Sequence, residues 1–295
     1  MMAAESLWEW VRQHPWQAVM GAALLFLIAF AISVISRTPR LDRNWVEHLA
    51  RMPDIKMDEG GFSLGPATNW TYDAKGPTEK NTVSFAAKYS ELRNVWFMVE
   101  PQPGGGYAAH TLLLFEFAGD RIIGVTVEAR REVGEEYDAF QGLFNKFELA
   151  YIWSTAKELL TRRAVYLAKE IYVYPLTLSD KEKADFLKAL LAQTQTLEVK
   201  PRFYNTFVSN CTNELGKIAR IPWHYSFVLT GYSPQYLYRL KYIPGPDFAT
   251  ARRQAKLDAE IRTWNGLSTP DFDHALLAEL RKRTGETSGD ALTAP

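Results

Sequence analysis

The chain holds a single cysteine, Cys211, among 295 residues, which excludes an intramolecular disulfide. No Cys/His cluster has zinc spacing, so neither a structural metal nor a cofactor is expected. Neither sign of charge is in surplus, since 34 Lys and Arg face 34 Asp and Glu. A nucleic-acid binder would need extra cations to meet phosphates, so that class is disfavoured, although a local basic patch is not excluded. No internal repeat is visible. A lone thiol survives on either side of a membrane, so the redox compartment is not legible. Otherwise the composition is that of a globular protein, 47% hydrophobic and 23% charged, with enough chain for one or two packed domains.

One long apolar run is present. Residues 17–36, "QAVMGAALLFLIAFAISVIS", carry no charge and suffice to cross a bilayer as a helix at ~1.5 Å per residue. Trp8, Trp10 and Trp16 flank it on one side, where indoles favour the lipid–water interface. A cleaved signal peptide is the alternative, but the run exceeds the usual ~7–15 residues and no A-x-A-like site precedes Arg37. An uncleaved anchor over residues 1–36 is therefore expected. Arg12 stands against Arg37, Arg40 and Arg43 on the other flank. By the positive-inside rule that asymmetry would put the large domain in the cytoplasm, yet the rule is weak for a long domain behind one anchor.

Residues 37–68 read as a juxtamembrane amphipathic helix, "LDRNWVEHLARM", followed by a Gly/Pro-rich linker. From Asn69 the pattern turns strand-like: "TVSFAAKY", "NVWFMVE", "HTLLLFEF" and "RIIGVTVEAR" are rich in β-branched and aromatic residues. Ala118–Gly119–Asp120 is a plausible hairpin turn between the last two. "IYVYPL" reads as one more strand. Ser179 with Glu182 forms a capping-box signature before a helix, and "CTNELGKIAR" starts another. Residues 246–295 read as a charged helical tail with a disordered end, "GETSGDALTAP". Strands and helices in separate runs predict an α+β domain over residues 69–245.

Free cysteine usually packs as a small hydrophobe. Cys211 instead lies among polar residues, Asn210 before it and Thr212–Asn213 after it. With Asn210 or Cys211 as N-cap, the thiol meets the positive helix end and its unpaired N–H groups. That position favours thiolate, and the same groups suit a developing oxyanion. A base is still needed. His14 precedes the anchor, His48 is juxtamembrane and His274 lies in a charged helix. His224 comes one short helix after the cysteine and competes with His110, which opens the strand "HTLLLFEF" behind the small residues "GGGYAA". An imidazole is normally oriented by a third group. If 118–120 is the turn, Phe117 pairs with Arg121 and His110 falls directly opposite Glu128, with Cβ atoms ~5 Å apart. A one-residue slip would send Glu128 to the other face. Glu116 shares the face of His110 but lies too far along a strand that rises ~3.3 Å per residue.

The blocks "WTYD", "AHTLLLFEF", "VEARREVGEEY", "FYNTFVSNCTNEL" and "IPWHYSFVLTGYS", in this order, resemble the Lnb N-terminal periplasmic domain family over about Asn69 to Tyr238. More distantly, the chain is similar to the circularly permuted papain-like group that includes lecithin:retinol-acyltransferase-like and NlpC/P60-like thiol enzymes. In that group the histidine strand precedes the cysteine helix, as His110 precedes Cys211. Relatives there carry a Tyr upstream of Asn-Cys, as Tyr204 stands to Asn210–Cys211, but continue with Glu-His where this chain has Thr212–Asn213.

The resemblance implies a permuted papain-like fold with an antiparallel sheet and a catalytic helix. It also implies a periplasmic domain on a single-pass inner-membrane anchor, and this outweighs the charge count. Cys211 becomes the nucleophile, His110 the base and Glu128 the third member. Tyr204, Asn210, Arg130 and Arg131 become substrate-binding or oxyanion groups, the two arginines through contact with a lipid phosphate unless they are only solvated surface charge. The activity implied is acyl transfer from a phospholipid to a lipoprotein's N-terminal amine. A cysteine amidase or peptidase acting on cell-wall peptides, and a non-catalytic envelope scaffold, remain the alternatives. The aromatic run "YDAFQGLFNKFELAYIW" reads as a core helix and strand ahead of an acyl groove.

Overall fold

The structure, a computed structural model, describes residues 2–104 and 106–285. The chain divides into two compact units, Met1–Arg40 and Leu41–Pro295. In the first, α1 (Met2–Gln13) is followed by α2 (Pro15–Ile35), whose proline sits at the first turn, where its missing N–H costs nothing. With a mean hydropathy of 2.7 and no buried residue, α2 is long and apolar enough to cross a membrane.

The second unit is a mixed α+β domain built on one eight-stranded sheet. Its strands are β1 (Asp54–Met57), β2 (Gly61–Asp73), β3 (Gly76–Lys88), β4 (Leu92–Pro101), β5 (Ala109–Phe117), β6 (Arg121–Arg130), β7 (Glu148–Thr155) and β8 (Tyr172–Pro175). The spatial order is β1-β2-β7-β6-β5-β4-β8, with β3 beside β2. Only the short β2–β7 pairing is parallel. Odd-numbered residues of β5 and β6, such as Leu113, Phe115, Val125 and Val127, share a core cluster with Leu187 and Leu191 of α4 (Asp180–Val199) and Leu215 of α5 (Cys211–Ile218). On the other face Leu112, Leu114 and Ile122 pack with α3 (Ala156–Thr161), α6 (Asp258–Thr263) and α7 (Thr269–Thr284). The sheet is thus covered on both sides, which explains strands that are apolar at nearly every position.

Two boundaries differ from the expectation. Residues 37–68 are neither helix nor linker: only Glu47–Leu49 make a 3₁₀ turn, and β1 and the first half of β2 follow. Trp45, Leu49, Met52, Ile55, Phe62 and Leu64 are buried in the domain. The misleading signal was Gly65–Pro66, which sits at a register shift between Leu64 and Ala67. An irregularity of this kind takes a proline off the ladder. The stretch 246–284 is likewise no tail. Leu257 and Ile261, with Phe272, Leu276, Leu277 and Leu280 at helical spacing, belong to the second core, and of the charged residues here only Asp258 and Asp273 are buried with them. The disorder expected of residues 285–295 lies, from 286 onward, outside the described residues.

The Ser179–Glu182 capping box opens α4. The loop 118–120 closes the β5–β6 hairpin with Gly119 and Asp120 at φ 77 and 53, and Phe117 pairs with Arg121. Of the aromatic run, Phe147 is buried just before β7, and Tyr151 and Trp153 are buried within it, whereas Phe140 is exposed.

One glycine governs how closely α3 approaches the sheet. A Cβ on Gly124 would come within 2.4 Å of Leu159 Cδ1, 2.7 Å of Leu114 Cδ2 and 3.1 Å of the Leu113 carbonyl oxygen. Gly124→Val is expected to overpack this contact and cost about 1–3 kcal/mol, measured as a lowered melting temperature.

Candidate functional site

The site lies where the β5–β6 ladder ends. The last paired residues are Leu112 and Thr126, and two residues beyond them His110 and Glu128 face each other. His110 Nε2 is 2.6 Å from Thr126 Oγ1 and 3.0 Å from Glu128 Oε1, and the Thr126 hydroxyl donates to the same carboxylate oxygen at 2.8 Å. With Nε2 engaged, Nδ1 is the nitrogen left to face the Cys211 thiol, with which the imidazole interacts electrostatically.

Across β4, Glu100 pairs with His110. Between Glu100 and Glu128 sits Arg163, 2% exposed, with Nε 2.9 Å from Glu100 Oε2 and Nη2 3.4 Å from Glu128 Oε1. Arg163 belongs to a π-turn, Arg162–Tyr166, that continues α3; such turns recur at functional sites. Behind the carboxylate, Arg162 Nη2 donates to His48 Nε2 at 3.0 Å. Burial, then the Arg162 charge, push His48 down to about 3, so this imidazole is neutral and accepts. Arg131 stands half-buried and adds its charge to the same environment.

The thiol is presented by α5. Asn210 is its N-cap, with Oδ1 accepting from the Asn213 N–H at 2.8 Å. Its Nδ2 donates to the carbonyls of Thr206 and Phe227, each at 2.7 Å. Asn213 Nδ2 binds the carbonyls of Phe207 and Phe227, both at 2.9 Å. Glu214, also buried, takes Ser209 Oγ, Tyr151 Oη and Arg202. Thr212 Oγ1 lies 3.0 Å from Thr111 Oγ1 and 3.9 Å from Cys211 Sγ.

The electrostatics favour an ion pair. Burial alone would raise the Cys211 thiol, but the His110 charge and hydrogen bonds from His110 and Thr111 outweigh it and lower the pKa. For His110 burial pulls downward, and Glu128 and Cys211 more than reverse it. Burial would raise Glu128, yet His110, Arg163 and Arg162 hold it well below the usual carboxylate range. The arrangement favours thiolate, imidazolium and carboxylate side by side over their neutral forms. Tyr204 is buried; its phenol is held well above its ordinary value by burial first and then by the nearby thiol charge. It is therefore a protonated donor beside Cys211, with its hydroxyl 3.4 Å from that of Tyr137.

Two expected ligand-binding groups are otherwise occupied. Asn210 spends its amide on the cap and two loop carbonyls, so it is no oxyanion donor. Arg130 is buried, donates to the carbonyls of Leu49 and Ala50, and stacks over Trp45 at 4.5 Å. It fastens the 45–50 segment and does not reach a lipid phosphate. His110, not His224, is the histidine brought to the thiol. The His224 ring is stacked on Tyr236 at 3.9 Å and held by Ser226. Thr126 could have been found in the sequence, since it shares the face of Glu128 by alternation. Arg163 gave no signal there. Among the described residues no group of three or more His, Cys, Asp or Glu could hold a metal ion.

Fold and site together define an α+β domain that brings a buried thiol, a half-buried imidazole and a half-buried carboxylate into one row. Residues 80–240, more than half of the chain, match the family described as the Lnb N-terminal periplasmic domain. The protein belongs to that family. No curated protein and no solved structure matches it. A periplasmic domain together with the apolar α2 fits a single-pass inner-membrane protein.

Iodoacetamide alkylation of Cys211 should show a midpoint below the ordinary thiol pKa of about 8.5, because the depressed pKa keeps the thiolate until the pH falls through it. Glu128→Gln removes a charge that raises His110. The imidazolium is then lost at lower pH, and the alkylation midpoint should move upward, towards the ordinary value.

Proposed function

We propose that the protein is a periplasmic, membrane-anchored thiol acyltransferase of permuted papain-like design, moving a fatty acyl chain from a phospholipid to a lipoprotein's N-terminal amine. Cys211 is the nucleophile, His110 the acid and base, and Glu128 the group that holds the imidazole. The observation that favours acyl transfer over peptide cleavage is a cavity of about 810 Å³ beside the nucleophile's helix. Phe97, Leu176, Phe186, Leu215, Phe227 and Leu237 line it. Thr212, whose hydroxyl is 3.9 Å from Cys211 Sγ, is part of its wall. Its volume is within the ~300–1,000 Å³ of small-molecule sites, and its lining suits an alkyl chain better than a cell-wall peptide.

The chemistry balances as a ping-pong cycle. The Cys211 thiolate attacks the ester carbonyl carbon, and a C–S bond forms. The tetrahedral oxyanion is met by the Tyr204 hydroxyl and by N–H groups of the first turn of α5, which have no intrahelical acceptor. The C–O bond breaks as His110 gives its Nδ1 proton to the departing alkoxide, leaving a thioester and a lysophospholipid. The amine then attacks the thioester, His110 accepts its proton, and the C–S bond breaks to restore thiolate and imidazolium. Throughout, Glu128 and Thr126 keep Nε2 occupied, so Nδ1 stays aimed at the sulfur.

Incubated with phospholipid, the full-length protein should carry an acyl adduct on Cys211, seen by mass spectrometry. Cys211→Ala should abolish the adduct, and His110→Ala should slow its formation about 10²–10⁴-fold. No adduct, with stem peptides cleaved instead, would make the protein an amidase. A Cys211→Ala variant that retains every envelope phenotype would make it a scaffold. Ala189→Phe, projecting into the cavity, should shift adducts from long to short acyl chains at unchanged Cys211 alkylation rate.

A further inference from the structure

Large apolar side chains stand in solvent around the thiol end of the domain, on loops that polar ties hold in place. Phe207 and Val208, 52% and 60% exposed, occupy the loop that leads into α5. Trp223 (67%) and Tyr225 (48%) are on the loop that follows α5. Tyr107 (55%) precedes β5 and Phe140 (69%) lies between β6 and β7. These four loops are stitched together. Asn210 Nδ2 holds the carbonyls of Thr206 and Phe227, and Asn213 holds those of Phe207 and Phe227. The Gly231 N–H donates to Tyr107 O at 2.9 Å, and Thr206 Oγ1 to Ala139 O at 2.7 Å. A Cβ on Gly231 would come within 1.9 Å of Gly106 O, so Gly106–Tyr107 and the 229–232 loop touch backbone to backbone. The Ala109 N–H and carbonyl are both bonded to Thr230 Oγ1, tying the start of β5 to the same cluster.

We infer that this apolar rim is a bilayer-docking surface that sets the Cys211–His110 end of the domain into the lipid headgroup boundary. Three observations select a lipid surface as the occupant. The residues are dominated by Trp, Tyr and Phe, the side chains that partition to the interface. They sit on separate loop tips and do not line one shaped groove, which suits a fluid partner. Finally, the same chain carries a helix able to cross a bilayer, so the lipid surface is always at hand and docking costs little further freedom. Solvent-exposed aromatic patches of this kind mark interaction sites. Because hydrogen bonds already order these loops, little conformational entropy is lost on insertion.

The test uses full-length protein in phospholipid nanodiscs. Cys211→Ser removes the only native thiol, and Phe207→Cys, Trp223→Cys or Ser90→Cys, each added singly, carries a nitroxide. Ser90 is exposed and lies at the opposite end of β5, two residues before the partner of Phe117. Collision with oxygen against a polar nickel chelate is expected to report lipid at Phe207 and Trp223 and water at Ser90. Aqueous readings at all three sites would overturn the inference, as would a lipid-like reading that appears only as protein concentration rises, the sign of a protein partner. The labelled protein lacks the thiol, so this outcome is independent of the acyl-transfer reading. In the Cys211 background, Phe207→Ser with Trp223→Ser should lower adduct formation from bilayer phospholipid at least tenfold while leaving the alkylation rate of Cys211 unchanged. A fall in both rates would mean a disturbed site and would count against docking.

Discussion

A row of alternating charge, buried at its ends and half-buried at Glu128 and His110, is the constraint on which the site depends: Glu100, Arg163, Glu128, His110 and Cys211. Each charge alone would be expensive to bury, and each neighbour offsets that cost. Arg163 is the pivot. At 2% exposure its guanidinium spans two carboxylates and also donates to the Leu159 carbonyl at 3.0 Å. A planar fork of fixed geometry can do this, whereas a lysine would offer a single point charge. Because the members share partners, disturbing one leaves the next uncompensated, and the row responds as a unit.

The sheet supplies the alignment. Glu100 on β4, His110 on β5 and Glu128 on β6 lie side by side on one face, a consequence of registers that also pair Val99 with Thr111 and Phe117 with Arg121. The thiol arrives from the opposite face, on α5. The two meet because the β5–β6 ladder has ended by this point: His110 and Thr111, consecutive residues facing opposite sides, both reach Cys211. Gly124 then allows α3 to lie close against β6, and the π-turn that continues α3 delivers Arg163. The site is therefore a property of a strand end, a helix start and one close helix–sheet contact.

Much of this was legible in the sequence where a local rule governs it. Alternation and turn composition located β4 to β6 and, through the 118–120 turn, the facing of His110 and Glu128. The polar start "SNCTN" marked α5 and its cap. What escaped was whatever depends on long-range packing. Gly and Pro near residue 65 hid a strand, because in isolation an irregular strand and a linker share a composition. Charged residues over 246–284 masked a second core whose apolar positions are sparse. Asn210 and Arg130 were given ligand-facing roles because a sequence does not reveal which polar groups the fold consumes internally. Arg163, in "TRRAVYL", has no local signature, and its importance arises only from the two carboxylates that tertiary structure places around it.

The polar and apolar parts of the domain divide between them two requirements that conflict at a buried thiolate. It must be held rigidly, which Asn210, Asn213 and Glu214 accomplish by tying the start of α5 to the loops around it. It must also be reachable, yet Cys211 is itself only 4% exposed. Loops tied down by the same asparagines carry the exposed aromatic residues, so the groups that stiffen the thiol from within also fix the apolar rim outside it. Rigidity within and an apolar exterior are thus two faces of one hydrogen-bond network. A ligand arriving from an apolar phase would meet the thiol with little water to displace, a condition under which the charge on sulfur and the donors around it act at full strength.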